Sequence, residues 1–315
     1  MNFSNTVKEE IIGKPIKDKC CKKAFLAGLM RGNGKLFSRG EYLGLDFYVY
    51  GENTAILAAN FLSSVYGYEI REMSTTYRKD KKEKFVISIF GDKAAEILKD
   101  LNILTVDGED TAVNLNIFSG VCEKECCFRA FFKGLFISVG NITVPDEESS
   151  LNTGYHLELV FSHYAPALLA SEKLSEFGVT TKITRRKDNF IVYIKSAEEI
   201  KNFIAFVGAP VSVLKLTERM INREVSNNSN RQANCDLGNV NRQIEATEKH
   251  LAAIKKLKSS GEFDKLKPEL QKTALNRELY SDDTLSELAE RMNITKSCLN
   301  HRLRKITEFA NKDQG

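Results

Sequence analysis

Leu26-Ala27-Gly28-Leu29-Met30-Arg31-Gly32-Asn33-Gly34 returns in altered form as Phe132-Lys133-Gly134-Leu135-Phe136-Ile137-Ser138-Val139-Gly140, with Gly28 and Gly134 separated by 106 positions. Each stretch is apolar, with small residues four apart: Gly28 with Gly32, and Gly134 with Ser138. Residues four apart share one face of a helix. A face of small residues lets two backbones approach closely, and Cα–H contacts add a little. The expectation is two helices crossing on a pseudo-two-fold axis between two halves. Gly34 and Gly140 would end them and turn the chain into a sheet. Neither stretch contains an Asp or Glu.

The flanking sequence repeats in the same order. In the first copy, periodicity predicts a helix over 22–31, strands around 42–50 and a helix over 53–65 with Ile56, Leu57, Phe61, Leu62 and Val65 on its apolar face. A hairpin of 69–77 and 84–90, closed by the charged turn Lys79-Asp80-Lys81-Lys82, and a helix over 92–101 follow. The second copy predicts a helix over 125–138, a strand over 155–161 with Leu157, Leu159 and Phe161 alternating, and a helix over 165–177. A hairpin of 180–186 and 190–195 around Arg186-Lys187-Asp188-Asn189 and a helix over 198–207 complete it. Tyr66-Gly67 and Phe177-Gly178 close equivalent helices. The fold class is α+β: a duplicated pseudo-dimer of two αββαββα-type halves over 1–214, followed by an all-α domain.

Length suits two or three domains, and 28% charged with 42% hydrophobic residues predicts a folded chain. The start has no signal-peptide character, and no window approaches a membrane span. The expected location is the cytoplasm, with no membrane partner. The net charge of +4 is unevenly placed. Residues 1–214 hold 27 Lys/Arg and 27 Asp/Glu, whereas 215–315 hold 19 and 15. The balanced part is a poor phosphate binder by itself, and the basic part points to a polyanion. Seven cysteines, Cys20, Cys21, Cys122, Cys126, Cys127, Cys235 and Cys298, argue against a disulfide framework. Cys122 with Cys126 or Cys127 has metal-like spacing, and Cys20-Cys21 lies at the matching place in the other repeat. Adjacent cysteines point different ways, and no second CxxC pair exists, so buried thiols without metal or cofactor are the expectation.

Between 222 and 241, seven of twenty residues are asparagine. This composition predicts a linker within 215–260, flexible enough that proteolysis there should release two separately folding parts. Arg223, Arg231 and Arg242 are candidate phosphate contacts in it. An amphipathic helix over 240–257 presents Val240, Ile244, Leu251, Ile254 and Leu257, and Ser259-Ser260-Gly261 stops it.

Residues 261–315 have the spacing of a helix-turn-helix. A first helix over 266–279, entered through Pro268, packs by Leu270, Leu275 and Leu279. Asp282 or Asp283 would cap a second over 284–292, which faces inward with Leu285, Leu288, Ala289 and Met292. Asn293-Ile294-Thr295 is the turn, where Asn tolerates left-handed geometry and Thr295 caps a third helix anchored by Leu299, Leu303 and Ile306. Thr295, Lys296, Ser297, Asn300, His301, Arg302, Arg304 and Lys305 are the candidate DNA contacts. Arg and Asn suit guanine and adenine edges, while Lys and Ser suit phosphate.

The two helices of the opening resemble the LAGLIDADG motif of homing endonucleases, most closely over Leu26-Ala27-Gly28-Leu29. The resemblance implies an acid near the end of each motif to hold metal at the scissile phosphates. Asn33 and Val139 stand there instead, and metal-dependent hydrolysis needs carboxylates to collect the cations. The motif therefore implies a shape without a catalytic site or metal.

The whole chain resembles the WhiA family of bacterial regulators, in which a degenerate LAGLIDADG domain precedes a sigma-factor-like helix-turn-helix. The resemblance rests on Phe3-Ser4-Asn5-Thr6-Val7-Lys8-Glu9-Glu10, on Cys20-Cys21-Lys22-Lys23-Ala24-Phe25-Leu26-Ala27-Gly28, on Asn222-Arg223 through Asn230-Arg231-Gln232-Ala233-Asn234, and most specifically on Asn300-His301-Arg302-Leu303-Arg304-Lys305. It implies a transcription regulator that binds double-stranded DNA on the nucleoid, linked to cell division, chromosome segregation and, in sporulating lineages, sporulation. The competing readings are a scaffold that docks RNA polymerase or another transcription regulator, and a homing endonuclease.

Overall fold

The computed structural model describes residues 2–70, 73–77, 83–107, 110–145 and 154–311; the charged turn expected at 79–82 lies outside them. The chain divides into two compact units, Met1–Arg223 and Glu224–Gly315.

The first unit opens with helix α1 (Phe3–Ile12). The first repeat is then α2 (Lys19–Asn33), β1 (Gly34–Arg39), β2 (Tyr42–Tyr50), α3 (Glu52–Tyr66), β3 (Met73–Tyr77), β4 (Glu83–Phe90) and α4 (Asp92–Asp100). A hairpin of β5 (Leu104–Asp107) and β6 (Asp110–Val113) leads to the second repeat. This is α5 (Glu125–Val139), β7 (Gly140–Thr143), β8 (His156–Phe161), α6 (Tyr164–Glu176), β9 (Lys182–Arg186), β10 (Asn189–Ile194) and α7 (Ala197–Phe206). The repeats have the same topology: antiparallel sheets ordered β1-β2-β4-β3 and β7-β8-β10-β9. Phe47 opposite Ile87 and Leu159 opposite Val192 place buried side chains on the helix-covered faces. Gly67 (φ 61°) and Gly178 (φ 76°) carry the left-handed turns after α3 and α6.

The core of this unit is the crossing of α2 and α5. Leu26 and Phe132 are fully buried, as are Phe25 and Phe131. A Cβ on Gly28 would strike the carbonyl oxygen of Phe131 and stand 2.9 Å from the nitrogen of Leu135. A Cβ on Gly134 would strike the carbonyl oxygen of Phe25 and stand 2.9 Å from the nitrogen of Leu29. The matching distances are the signature of a two-fold relation, and only hydrogen fits at the crossing. Gly32 faces Ser138 one turn further on. Each helix then passes directly into its sheet, Gly34 opening β1 and Gly140 opening β7.

At the other ends of α2 and α5 the structure gathers four of the cysteines, an arrangement that their spacing in the sequence did not announce. The sulfurs of Cys20, Cys21, Cys126 and Cys127 all lie within 4.8 Å of one another. Divergence within an adjacent pair was the reason to set them apart. When two such pairs meet head-on, the divergence supplies four corners instead. Cys122 is not in the group.

Helix α8 (Pro210–Ser259) brings a correction: the stretch read as a linker is helical throughout. Its 49 residues after Pro210 include one glycine and no further proline, and asparagine weakens a helix without breaking it. Side chains a turn apart help, with Gln232 Nε2 donating to Asp236 at 3.1 Å and Arg242 to Asn239 at 3.3 Å. Leu216 is buried in the core of the first unit, and Ile254 and Leu257 in that of the second. Propagation between anchored ends costs little once a helix is nucleated. Val240 and Ile244, expected on the packed face, are about half exposed (52% and 51%). No helix among the described residues is long and apolar enough to cross a membrane.

The start of α8 is capped from α1. The Glu10 carboxylate accepts hydrogen bonds from the backbone N–H of Val211 and Ser212, both 2.8 Å, and from the Ser212 hydroxyl at 2.7 Å. Burial works against ionisation of Glu10, but these bonds, aided by Lys14, outweigh it and hold its pKa below the ordinary value. A depressed carboxylate contributes stability above its unfolded pKa and loses it as pH falls through the folded value. Glu10→Ala is expected to destabilise the protein by about 1–3 kcal/mol at neutral pH. The difference should shrink under acid, where the native carboxyl is protonated as well. Denaturant melts of both proteins from neutral to acidic pH check this, and a pH-independent difference would refute the assignment.

Candidate nucleic-acid interface

The second unit packs the end of α8 and a 3-10 turn (Phe263–Lys265) with α9 (Pro268–Leu279), α10 (Leu285–Arg291) and α11 (Lys296–Asn311). Its core is Ile254, Leu257, Leu266, Leu270, Ala274, Leu288, Ala289, Leu299, Leu303 and Ile306, with Ala253 and Ala310 at its edges. Leu275 and Leu279, expected inside, are instead 50% and 72% exposed. The face of α9 that turns inward is Leu270, Thr273, Ala274 and Arg277.

Arg277 is the feature that sequence reasoning missed. It is 1% exposed. One guanidinium nitrogen donates to the backbone carbonyl of Asp283 at 2.6 Å, and another donates to the Thr247 hydroxyl on α8. Burial lowers its pKa, while Asp283 and Asp282 pull the other way. The bonds tie α8 and α9 to the loop that launches α10. No local signal separates this arginine from the solvated ones around it.

The turn geometry follows from short polar side chains. Thr284, not Asp282 or Asp283, caps α10. Its Oγ1 accepts from Glu287 N at 3.2 Å, and the Glu287 carboxylate accepts from Thr284 N at 2.7 Å, a reciprocal box. Asp283 instead pairs with Arg291 and offers its carbonyl to Arg277. Asn293 adopts φ 53°, the left-handed conformation that Asn tolerates. Ile294 N donates to the carbonyl of Ala289 at 3.0 Å, closing the turn. Thr295 Oγ1 accepts from Cys298 N at 3.2 Å and starts α11.

With Leu299, Leu303 and Ile306 fully buried, the opposite side of α11 is fixed by helical periodicity. Thr295, Lys296, Ser297, Asn300, His301, Arg304 and Lys305 are exposed, and Arg302 is half-buried. From Thr295 to Ile306 there is no acid. The first is Glu308, 3.4 Å from Arg304 Nε in an exposed pair. That pair offers an incoming polyanion a competitor for Arg304. Glu308→Gln is therefore expected to tighten binding to any DNA duplex by about 0.5–1 kcal/mol at low salt, the size of a surface ion pair. Fluorescence anisotropy against two unrelated duplexes measures it, and unchanged or weaker binding counts against a DNA-facing Arg304.

The three outlying arginines fall into two settings. Arg223 lies over the Tyr155 ring, 5.6 Å from its centroid. Arg231 and Arg242 are exposed on α8, and eleven residues bring them to within roughly 20° of the same face. At the positions that resemble nuclease acids, Asn33 Nδ2 donates to the carbonyl of Ser138 at 2.7 Å, and Val139 packs against the core. Both side chains serve the α2–α5 crossing. Arg31 beside them donates to the carbonyls of Asn114 (2.7 Å) and Asn102 (2.8 Å), and burial lowers its pKa to about 10.

A duplicated LAGLIDADG-like unit joined to a helix-turn-helix unit defines the class. Comparison with known proteins narrows it. Family models match over residues 19–104 (WhiA N-terminal LAGLIDADG-like domain), 128–226 (WhiA LAGLIDADG-like domain) and 229–310 (WhiA C-terminal HTH domain). The chain is 34% identical over 318 residues to the probable cell division protein WhiA of Bacillus cereus (strain B4264), covering 99% of this chain and 97% of that one. It is 33% identical over 317 residues to the protein of that name from Bacillus velezensis, covering 98% and 96%. The chain belongs to the WhiA family. Among solved structures, full-length DUF199/WhiA from Thermatoga maritima has the same fold over 99% of both chains, with a TM-score of 0.58 at 21% identity. The N-terminal LAGLIDADG domain of DUF199/WhiA aligns with a TM-score of 0.50 at 19% identity, over 66% of this chain and 90% of that one.

Proposed function

We propose that this chain is a DNA-binding transcription regulator of cell division that reads specific duplex sequence through α11. The observation that carries the proposal is the face of α11. Six exposed polar or basic side chains, Lys296, Ser297, Asn300, His301, Arg304 and Lys305, stand on a helix whose other side is fully buried. A major groove admits one such helix, and these residue types suit base edges and phosphates. Thr295 at the capped N-terminus adds a hydroxyl and the positive end of the helix dipole. Relatives named as cell division proteins support the physiological part. Nucleoid association, chromosome segregation and, in a sporulating host, sporulation are the finer extensions of the same proposal. The LAGLIDADG-like unit then positions the reader or meets RNA polymerase or another transcription regulator.

Immunoprecipitation of bound genomic DNA, followed by a salt titration of the full chain on a recovered site, tests this. Phosphate contacts give a steep loss of affinity with salt. Absence of enriched sites together with salt-insensitive binding would favour a protein-docking helix-turn-helix instead. A nuclease is expected to fail a simple assay. With Asn33 and Val139 occupied in helix packing, plasmid incubated with the chain and Mg²⁺ or Mn²⁺ should stay supercoiled. Nicking that copurifies and disappears on loss of one carboxylate would reinstate the enzyme.

A further inference from the structure

We propose that Cys20, Cys21, Cys126 and Cys127 bind one zinc ion as four thiolates, stapling the two LAGLIDADG-like repeats together at the N-terminal ends of their central helices. The geometry comes first. The four sulfurs lie within 4.8 Å of one another, and among the described residues they are the one such gathering of Cys, His, Asp or Glu. A tetrahedral zinc tetrathiolate with Zn–S near 2.3 Å sets its sulfurs about 3.8 Å apart. The group is at most about 1 Å wider than that spacing.

Symmetry is the second observation. Cys20 and Cys126, like Cys21 and Cys127, are 106 positions apart, the same offset as Gly28 and Gly134. Each repeat thus supplies half of the set from the first turn of its central helix. Four cysteines gathered by chance in an apolar core need not obey the pseudo-two-fold axis. A site astride that axis must.

Electrostatics is the third. Binding breaks four S–H bonds and forms four Zn–S bonds, releases the protons to solvent and leaves a doubly negative centre. All four cysteines lie in the first turns of α2 and α5, and neither helix has a side-chain cap hydrogen bond. The positive dipole ends of the two helices suit thiolate charge. Cys21 and Cys127 are buried, Cys20 is half-buried and Cys126 is exposed, so the group reaches the surface at Cys126. Oxygen-seeking cations such as Mg²⁺ or Ca²⁺ are excluded by the ligand chemistry, and soft tetrahedral sulfur sites select zinc or iron. A cluster of several irons needs cysteines set wider than these.

Cobalt is the probe. The full chain, reduced and stripped with chelator, is titrated with Co²⁺ and then Zn²⁺. The expected result is sulfur-to-cobalt charge transfer with strong tetrahedral d–d bands, saturating at one ion per chain and bleached by Zn²⁺. Zn²⁺ should also raise the melting temperature and protect Cys126 from alkylation. Cys126→Ser changes an exposed side chain and should lose the tetrathiolate spectrum and the thermal shift while keeping its circular dichroism. Cys126→His should restore a tetrahedral spectrum, shifted by the nitrogen ligand. Cys235→Ser, on the exposed part of α8, should behave as the unaltered chain. A weak octahedral cobalt spectrum, a spectrum unchanged in Cys126→Ser, or disulfides between the two repeats recovered under reductant would each overturn the proposal.

Discussion

Alanine at Gly28 or at Gly134 is expected to destabilise the first unit by about 3 kcal/mol or more, although alanine is the better helix former. Propensity alone favours the substitution by about 1 kcal/mol. Against it stands the new methyl group. At Gly28 it meets the carbonyl oxygen of Phe131, and at Gly134 that of Phe25. Both obstacles are backbone, which cannot rotate away as a side chain would. Relief requires α2 and α5 to separate, and their contact is the centre of the core. Separation also breaks the Asn33 to Ser138 hydrogen bond. The control is Gly238→Ala in α8, where a Cβ meets nothing within 4 Å and φ is not positive. There the propensity gain should appear as about 0.5–1 kcal/mol of stabilisation. Urea unfolding of the three variants checks both signs. Equal, small effects at all three positions would mean that the crossing is loose.

The same glycines explain why so much of the first unit was legible in the sequence. A helix crossing this close tolerates few residues, so the repeat keeps its spacing while most other letters change. The strands were readable by alternation, as in Leu157, Leu159 and Phe161 of β8, all buried. The short β1 and β7 had no alternation of their own to announce them, and β5 with β6 contributes only four residues each. In the second unit Leu299, Leu303 and Ile306 were readable because spacings of four and three define one side of a helix. Leu275 and Leu279 misled because apolar side chains need not be buried, and Arg277 took the inward position that a leucine was expected to fill. Helix α8 was hidden by composition. Asparagine resembles a turn former in any local window, and what makes the segment helical lies outside it, in Glu10 at one end and the core around Ile254 at the other. The cysteine group was hidden for a related reason, since only the meeting of two repeats brings the pairs together.

Replacing Arg304 or Asn300 with alanine is expected to cost about 1–3 kcal/mol on the preferred DNA site, up to roughly a hundredfold in affinity, and much less on random duplex. Both residues stand on the exposed side of α11, one helical turn apart, and so would meet neighbouring base pairs in a major groove. Arg304 is 67% exposed, and its link to Glu308 is an exposed pair of small worth, so the guanidinium is easily redirected to a guanine edge. Lys296 and Lys305 lie at the two edges of the exposed side, where a docked duplex would present its phosphates. Their alanine variants should weaken specific and random DNA alike and lower the salt slope by about 1 each. The contrast between the two classes, rather than any single loss, distinguishes reading from adhesion. It requires the frame to survive, which is why the substitutions are confined to exposed positions and why Leu303→Ala, a core change, would be uninformative. Binding isotherms of the four variants on a recovered site and on scrambled duplex, each at two salt concentrations, decide the matter. If Arg304→Ala lowers both affinities equally, α11 holds DNA without reading it, and the specificity must come from elsewhere in the chain or from a partner.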